Sequence, residues 1–153
     1  MIPTYKHSPV RDSFEKGMEF QDYVCLRLAK EGIILQNISS KRFQFEVGEN
    51  LQGFEIKLDR RCTETEQLSI EVAEKSSRDV LIWTDSGIMR EDNSWLYIQG
   101  NYDAFWVFAR DWLLRYYGAK SPDVSEFNGT IRRWFLPIEV ADQYALKKYE
   151  ATA

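Results

Sequence analysis

Between positions 54 and 59 apolar and polar residues alternate without a break, Phe54, Ile56 and Leu58 against Glu55, Lys57 and Asp59. Successive side chains of a strand point to opposite faces, so this stretch predicts a strand with one apolar and one charged face. Residues 68–73 repeat the pattern, with Leu68, Ile70 and Val72 opposed to Ser69, Glu71 and Ala73. Upstream the period lengthens. Phe14, Met18, Cys25 and Leu28, joined by Val24 and Ala29, share one side at helical spacing. Asp12 is placed as the N-cap of that helix with Glu15 at the capping-box position, and Gly32 as its C′ residue. Gln21 falls in the middle of the apolar stripe and Glu19 points off it, so Gln21 needs a polar partner. Further strands are predicted over 33–38, 42–47, 80–84, 95–99, 104–108 and 133–137, with a helix over 109–117 ending at Gly118 and a last helix over 140–150. Loops fill 85–93 and 120–128. The order of helix, long run of strands, then returning helices predicts an α+β fold with a mixed, largely antiparallel central sheet flanked by helices.

The bulk properties narrow the chemistry. The 153 residues are expected to form a single domain, 1–153, and 44% hydrophobic with 14% aromatic content excludes a disordered chain. No apolar run approaches bilayer length and the N-terminus carries no signal-like apolar region, so a cytoplasmic, non-membrane protein is expected. Two cysteines, Cys25 and Cys62, make neither a disulfide framework nor a cysteine zinc site. The single histidine, His7, excludes His-rich zinc centres and disfavours Ser-His-Asp or Cys-His catalysis. What remains is carboxylates, lysine and a hard metal. A net charge of −4 argues against indiscriminate binding to duplex nucleic acid, yet Lys41-Arg42, Arg60-Arg61, Arg132-Arg133 and Lys147-Lys148 could each supply a local basic surface. The aromatic set of Trp83, Trp95, Trp106, Trp112, Trp134, Tyr97, Phe105, Phe108 and Tyr116 is expected mainly in the core, although it is also a base-stacking inventory.

The acids supply the candidate site. Glu49 lies upstream of Glu55 across an Asn/Gly-rich turn, and Glu71 sits on the polar face of the next strand. Carboxylates hold Mg²⁺ or Mn²⁺ through oxygen, and a lysine among them orients water or steadies developing phosphorane charge. Two hairpins can assemble such a site. A turn through 50–53 sets Glu49 opposite Glu55 with Lys57 on the same face; a turn through 60–67 sets Glu55 near Glu71. Asp59 is a candidate supporting group, held by Arg60 or Arg61.

A helix with an inward polar residue, followed by strands bearing an acid and then Glu55-Ile56-Lys57, resembles the PD-(D/E)xK nuclease superfamily over roughly residues 17–75. The likeness rests on Gly17, Gln21 and Gly32, on Glu49, and on Glu55-Ile56-Lys57. The block from Gly48 to Asp59, with Ile70-Glu71 and Glu74-Lys75, also resembles small bacterial and phage nuclease-like proteins. The resemblance implies a restriction-endonuclease-like core and a Mg²⁺- or Mn²⁺-dependent phosphodiesterase acting on nucleic acid, with DNA the expected substrate. It implies Glu49, Glu55 and Glu71 as metal ligands, Lys57 as the catalytic lysine and Gln21 at the first-helix position, where the family often has Glu. By analogy a homodimer would suit cutting both strands of a duplex. The departures define the rival expectation. No proline precedes the acid, Gln21 is neutral, and Ala73 stands where a lysine would follow Glu71. On that reading the chain is a catalytically silent nuclease-fold module acting in DNA binding or protein–protein interaction.

Overall fold

The computed structural model describes residues 9–151, with side chains from Ser13 onward; His7 lies outside them. The first helix, α1, spans Pro9–Ala29, so Asp12 sits within the helix and not at its cap. Its C-terminal end follows the expectation for Gly32. The Gly32 N–H donates to the Ala29 carbonyl and the Ile33 N–H to the Leu28 carbonyl, both at 3.0 Å, with Gly32 at φ +84°. That is the paired closure of a Schellman motif, which needs a residue at ease in left-handed backbone.

The buried stripe of α1 is Phe20, Val24 and Leu28, spaced i, i+4, i+8, each 2% exposed or less. Phe14 and Met18 are instead more than half exposed. Only the second half of the helix packs on a sheet, so the first half of the apolar stripe covers nothing in the core.

Among the described residues eight strands form two four-stranded sheets. The first contains β1 (Phe54–Leu58), β4 (Leu96–Gly100), β5 (Ala104–Ala109) and β8 (Lys147–Glu150), in the order β1-β4-β5-β8. β1 runs parallel to β4 and the other pairs are antiparallel. The second sheet is antiparallel, with β3 (Thr84–Asp85), β2 (Gln67–Glu74), β7 (Ile131–Pro137) and β6 (Ser125–Phe127) in the order β3-β2-β7-β6. Four helices complete the α+β architecture, α2 (Lys41–Glu46), α3 (Cys62–Thr65), α4 (Arg110–Lys120) and α5 (Ile138–Tyr144). The single central sheet expected from the pattern is thus two sheets. Neither expected hairpin forms: the parallel neighbour of β1 is β4, and β2 pairs with β7 and β3.

The first sheet separates two cores. Phe54, Ile56, Leu96, Ile98, Phe105, Val107 and Tyr149 face α1 and enclose Phe20, Val24 and Leu28. From the opposite face Tyr97, Trp106 and Phe108 join Leu68, Ile70, Val72, Trp134 and Leu136 of the second sheet, with Leu113 of α4 and Ala141 of α5. Removing this apolar surface from water at about 25 cal/mol per Å² is the main stabilisation of both layers.

Four expected elements differ. Residues 42–47 alternate like a strand but form the short α2, in which the Phe43 N–H donates to Ser40 Oγ at 3.5 Å. Its Phe43 and Phe45 remain exposed. Residues 33–38 contribute only an isolated antiparallel bridge, Asn37 to Asn50, and the strand expected over 80–84 is reduced to β3. The helix expected over 140–150 ends at Tyr144. Lys147 and Lys148 then pair with Val107 and Trp106 as part of β8. Tyr149 explains the switch: its ring stacks on Phe105 at 4.7 Å and 11°, a contact that a continued helix would lose.

Candidate functional site

β1 carries the central pair. Glu55 and Lys57 lie two residues apart and so share the face opposite α1. The Lys57 ammonium is 2.9 Å from Glu55 Oε1 and 4.0 Å from Glu49 Oε1. The start of β1 is fixed by buried Asn50. Its side-chain amide accepts from the Phe54 N–H at 2.8 Å and donates to the Phe54 carbonyl at 2.6 Å, standing in for a neighbouring strand. Glu49, one residue earlier, is tied down on both sides. Its Oε2 accepts from the Ile56 N–H at 3.1 Å, and its backbone carbonyl accepts from the Ile38 N–H at 2.9 Å.

The second sheet brings Glu71 to the same place. A bulge at Val72 shifts the register between Glu71 and Ala73, and Ser86 Oγ donates to Glu71 Oε1 at 3.0 Å. The 3₁₀ turn after Ser86, Gly87–Met89, lies hard against β2. A Cβ on Gly87, whose φ is +55°, would fall 2.1 Å from the Glu71 carbonyl oxygen. Only glycine allows this approach and backbone together.

The electrostatics follow from this crowding. Burial, then repulsion from Glu55, pushes the Glu49 carboxyl up to about 7. Burial also raises Glu71, opposed by attraction to Lys57. The Lys57 ammonium is held well above its ordinary range, first by Glu55. Tyr97 pairs with Glu55 across the parallel register, and burial drives its phenol well above the usual value. Its hydroxyl and Glu55 Oε2 are both buried without a hydrogen-bond partner. An unpaired carboxylate oxygen in a dry site costs several kcal/mol unless a cation or donor reaches it. Raised to about 7, the Glu49 carboxyl keeps a proton that it can donate to the Glu55 side chain, so the cluster gathers three acids around a single ammonium.

The structure thus brings together Glu49, Glu55, Lys57 and Glu71 within electrostatic reach, by neither hairpin but by two sheets meeting. Gln21 lies outside that group. Its amide donates to Asn37 Oδ1 at 3.5 Å, and Asn37 belongs to the bridge beside Glu49, so Gln21 abuts the segment that holds Glu49 and not the acids themselves. Asp59 has a different role from the one expected. Its Oδ2 accepts from the Ser69 N–H at 2.7 Å and from the Gln99 amide at 3.0 Å, tying β1 to β2 and β4, while Arg61 pairs with Glu64. Sequence reasoning missed Tyr97, Ser86 and Gln99. The alternation Leu96-Tyr97-Ile98-Gln99 puts Tyr97 and Gln99 on one face, but only the parallel pairing with β1 shows that this face is the one bearing Glu55 and Lys57.

Among the described residues no group of three His, Cys, Asp or Glu side chains is already gathered as a cation cage; Lys57 occupies the centre. Two surface clefts, of 490 and 370 Å³, are lined by other residues. Among the described residues no helix is long and apolar enough to cross a membrane. Comparison with known proteins adds no relative: no family model, no curated protein and no solved structure matches this chain.

Proposed function

We propose that this chain is a divalent-metal-dependent phosphodiesterase acting on nucleic acid, with DNA the expected substrate, and that its first half is a restriction-endonuclease-like core of the PD-(D/E)xK kind. The observation that carries the reading is the buried Glu55 carboxylate, with one oxygen on Lys57 and the other unpartnered, flanked by Glu49 and Glu71. Hard oxygen donors in a desolvated setting suit Mg²⁺ or Mn²⁺. Glu55 would hold the ion through Oε2, with Glu49 or Glu71 completing the set. When bound, such an ion polarises a phosphoryl oxygen and makes water more acidic.

The chain's own residues supply the rest. Lys57 remains protonated at any working pH, so it donates to a phosphate oxygen or orients water but does not act as a base. Ser86 fixes the orientation of Glu71, and the Ile56 N–H fixes that of Glu49. Replacing Glu55 by Gln keeps shape and removes charge. Glu55→Gln is expected to abolish metal-dependent cleavage of DNA with an unchanged far-UV circular dichroism spectrum. Wild-type cleavage rates in that variant would remove Glu55 from the mechanism.

One arrangement favours a second reading. Lys57 already sits among the acids and Gln21 is bonded away from them to Asn37, which suits a catalytically silent module that kept the scaffold for DNA binding or protein–protein contact.

A further inference from the structure

The outer face of the second sheet carries an aromatic and cationic surface that leads to the acidic cluster. Antiparallel partners share a face, so Ser125 and Arg133, Phe127 and Ile131, and Ser69 and Phe135 all project to the side that also bears Glu71, the direct partner of Arg133. On that side the Arg133 guanidinium lies 4.2 Å from the Phe127 ring centre and 5.2 Å from that of Phe135. Phe127 is 42% exposed and Phe135 36%. Phenylalanines are ordinarily covered, and these two, four positions apart along the strand direction with Arg133 between them, leave part of each ring open to solvent.

Beyond these two rings Arg133 has no charged partner: among the described residues it makes no ion pair, and its Nε is buried with no acceptor. Its neighbour Arg132, on the other face, is engaged with Glu126 at 3.7 Å and stacks on Trp83. Beyond the β6–β7 turn, Arg78 Nε donates to the Asn128 carbonyl, and it too has no carboxylate partner among the described residues. Among the described residues Arg133 and Arg78 thus place two cations, neither with a carboxylate partner within 4.0 Å, on this part of the sheet, an arrangement that suits a phosphate.

We infer that this face of β6 and β7 binds single-stranded nucleic acid, with unstacked bases on Phe127 and Phe135 and the backbone phosphate on Arg133. Paired bases hide their flat faces inside a duplex, so exposed rings reward an unpaired strand. Glu71 shares the face with Arg133, which sets a strand on this surface beside the proposed phosphodiesterase site. The inference rests on that function only for its direction toward Glu71; binding itself needs no catalysis.

The test is fluorescence anisotropy of labelled oligothymidylate with the full chain in excess EDTA, so that no metal-dependent cleavage contributes. Wild type should bind, with affinity falling as salt rises, and more tightly than it binds the corresponding duplex. Phe135→Ala and Phe127→Ala, both at exposed positions, should each weaken binding roughly tenfold. Arg133→Gln should weaken it and flatten the salt dependence, with Arg133→Lys retaining part of the effect. Phe43→Ala, at an exposed phenylalanine of α2 away from this face, should bind like wild type. Absence of oligothymidylate binding by wild type, or unchanged binding in both phenylalanine variants, would overturn the inference. So would equal affinity for a polyglutamate peptide, which would assign the face to an acidic protein partner. A protein that cleaves DNA with Mn²⁺ while these variants bind normally would refute the surface and spare the catalytic reading. Strand binding mapped to this face without cleavage would do the reverse.

Discussion

Glu49 shows how a side chain with an unremarkable sequence position acquires unusual chemistry. An isolated glutamate titrates near 4.5, but burial and the adjacent Glu55 lift it to about 7. A carboxyl whose native value exceeds its unfolded value binds an extra proton in the folded state between those two pH values. Its contribution to stability is therefore full below about 4.5, is lost as pH rises through about 7, and is constant above. Glu49→Gln keeps an acceptor for the Ile56 N–H while removing the titration. Relative to wild type, that variant is expected to gain stability between about pH 5 and about pH 8, by on the order of 2 kcal/mol. Urea denaturation at both ends of the range measures the change, and parallel pH profiles for the two proteins would contradict it. The same residue illustrates what could be read in advance. Glu49, Glu55, Lys57 and Glu71 are identifiable from alternation and proximity to a turn; the proton shared out among them is not, because burial is a property of the packed sheets.

At the scale of elements, legibility depended on where the pairing partner lay. The strands β1 and β2 declare themselves through alternation, since β2 buries Leu68, Ile70 and Val72 on one face and β1 buries Phe54 and Ile56, with Leu58 half-buried, on one of its own. The segment 42–47 alternates equally well and forms α2, because its phenylalanines are not buried by any sheet and Ser40 supplies a cap. β8 contains one buried residue, Tyr149, and its strand character comes from β5 and the Phe105 ring, which no local pattern encodes. Helix α1 was readable as a helix but not in its facing. The stripe drawn through Phe14 and Met18 misses Phe20, which is fully buried and surrounded by Tyr23, Tyr102 and Phe105. Phe20→Ala should accordingly cost about 3–5 kcal/mol, whereas Gln21→Ala should change stability by no more than about 0.5 kcal/mol and leave Mn²⁺ affinity unaltered. Thermal unfolding and metal titration of the two variants check this pair; a large loss of metal binding in Gln21→Ala would return that residue to the site.

On the scale of the whole molecule, the two sheets assemble the candidate site. One sheet provides Glu55, Lys57 and Tyr97, the other Glu71 and the Arg133 platform, and the 49–51 segment bridged to 36–38 adds Glu49. The acids are visible in the sequence, but neither of the two hairpins that would assemble them forms. Parallel pairing of β1 with β4 spans about forty residues of chain, and nothing local specifies it. The resulting cluster sets three carboxyls against one ammonium, and the proposed function requires that a divalent ion joins it. Calorimetric titration of the metal-free protein with Mn²⁺, wild type against Glu55→Gln, tests that requirement most directly. Wild type is expected to bind the ion and Glu55→Gln to lose that binding while its fold is retained. Equal binding in both proteins, or none in wild type even with an oligonucleotide present, would contradict it.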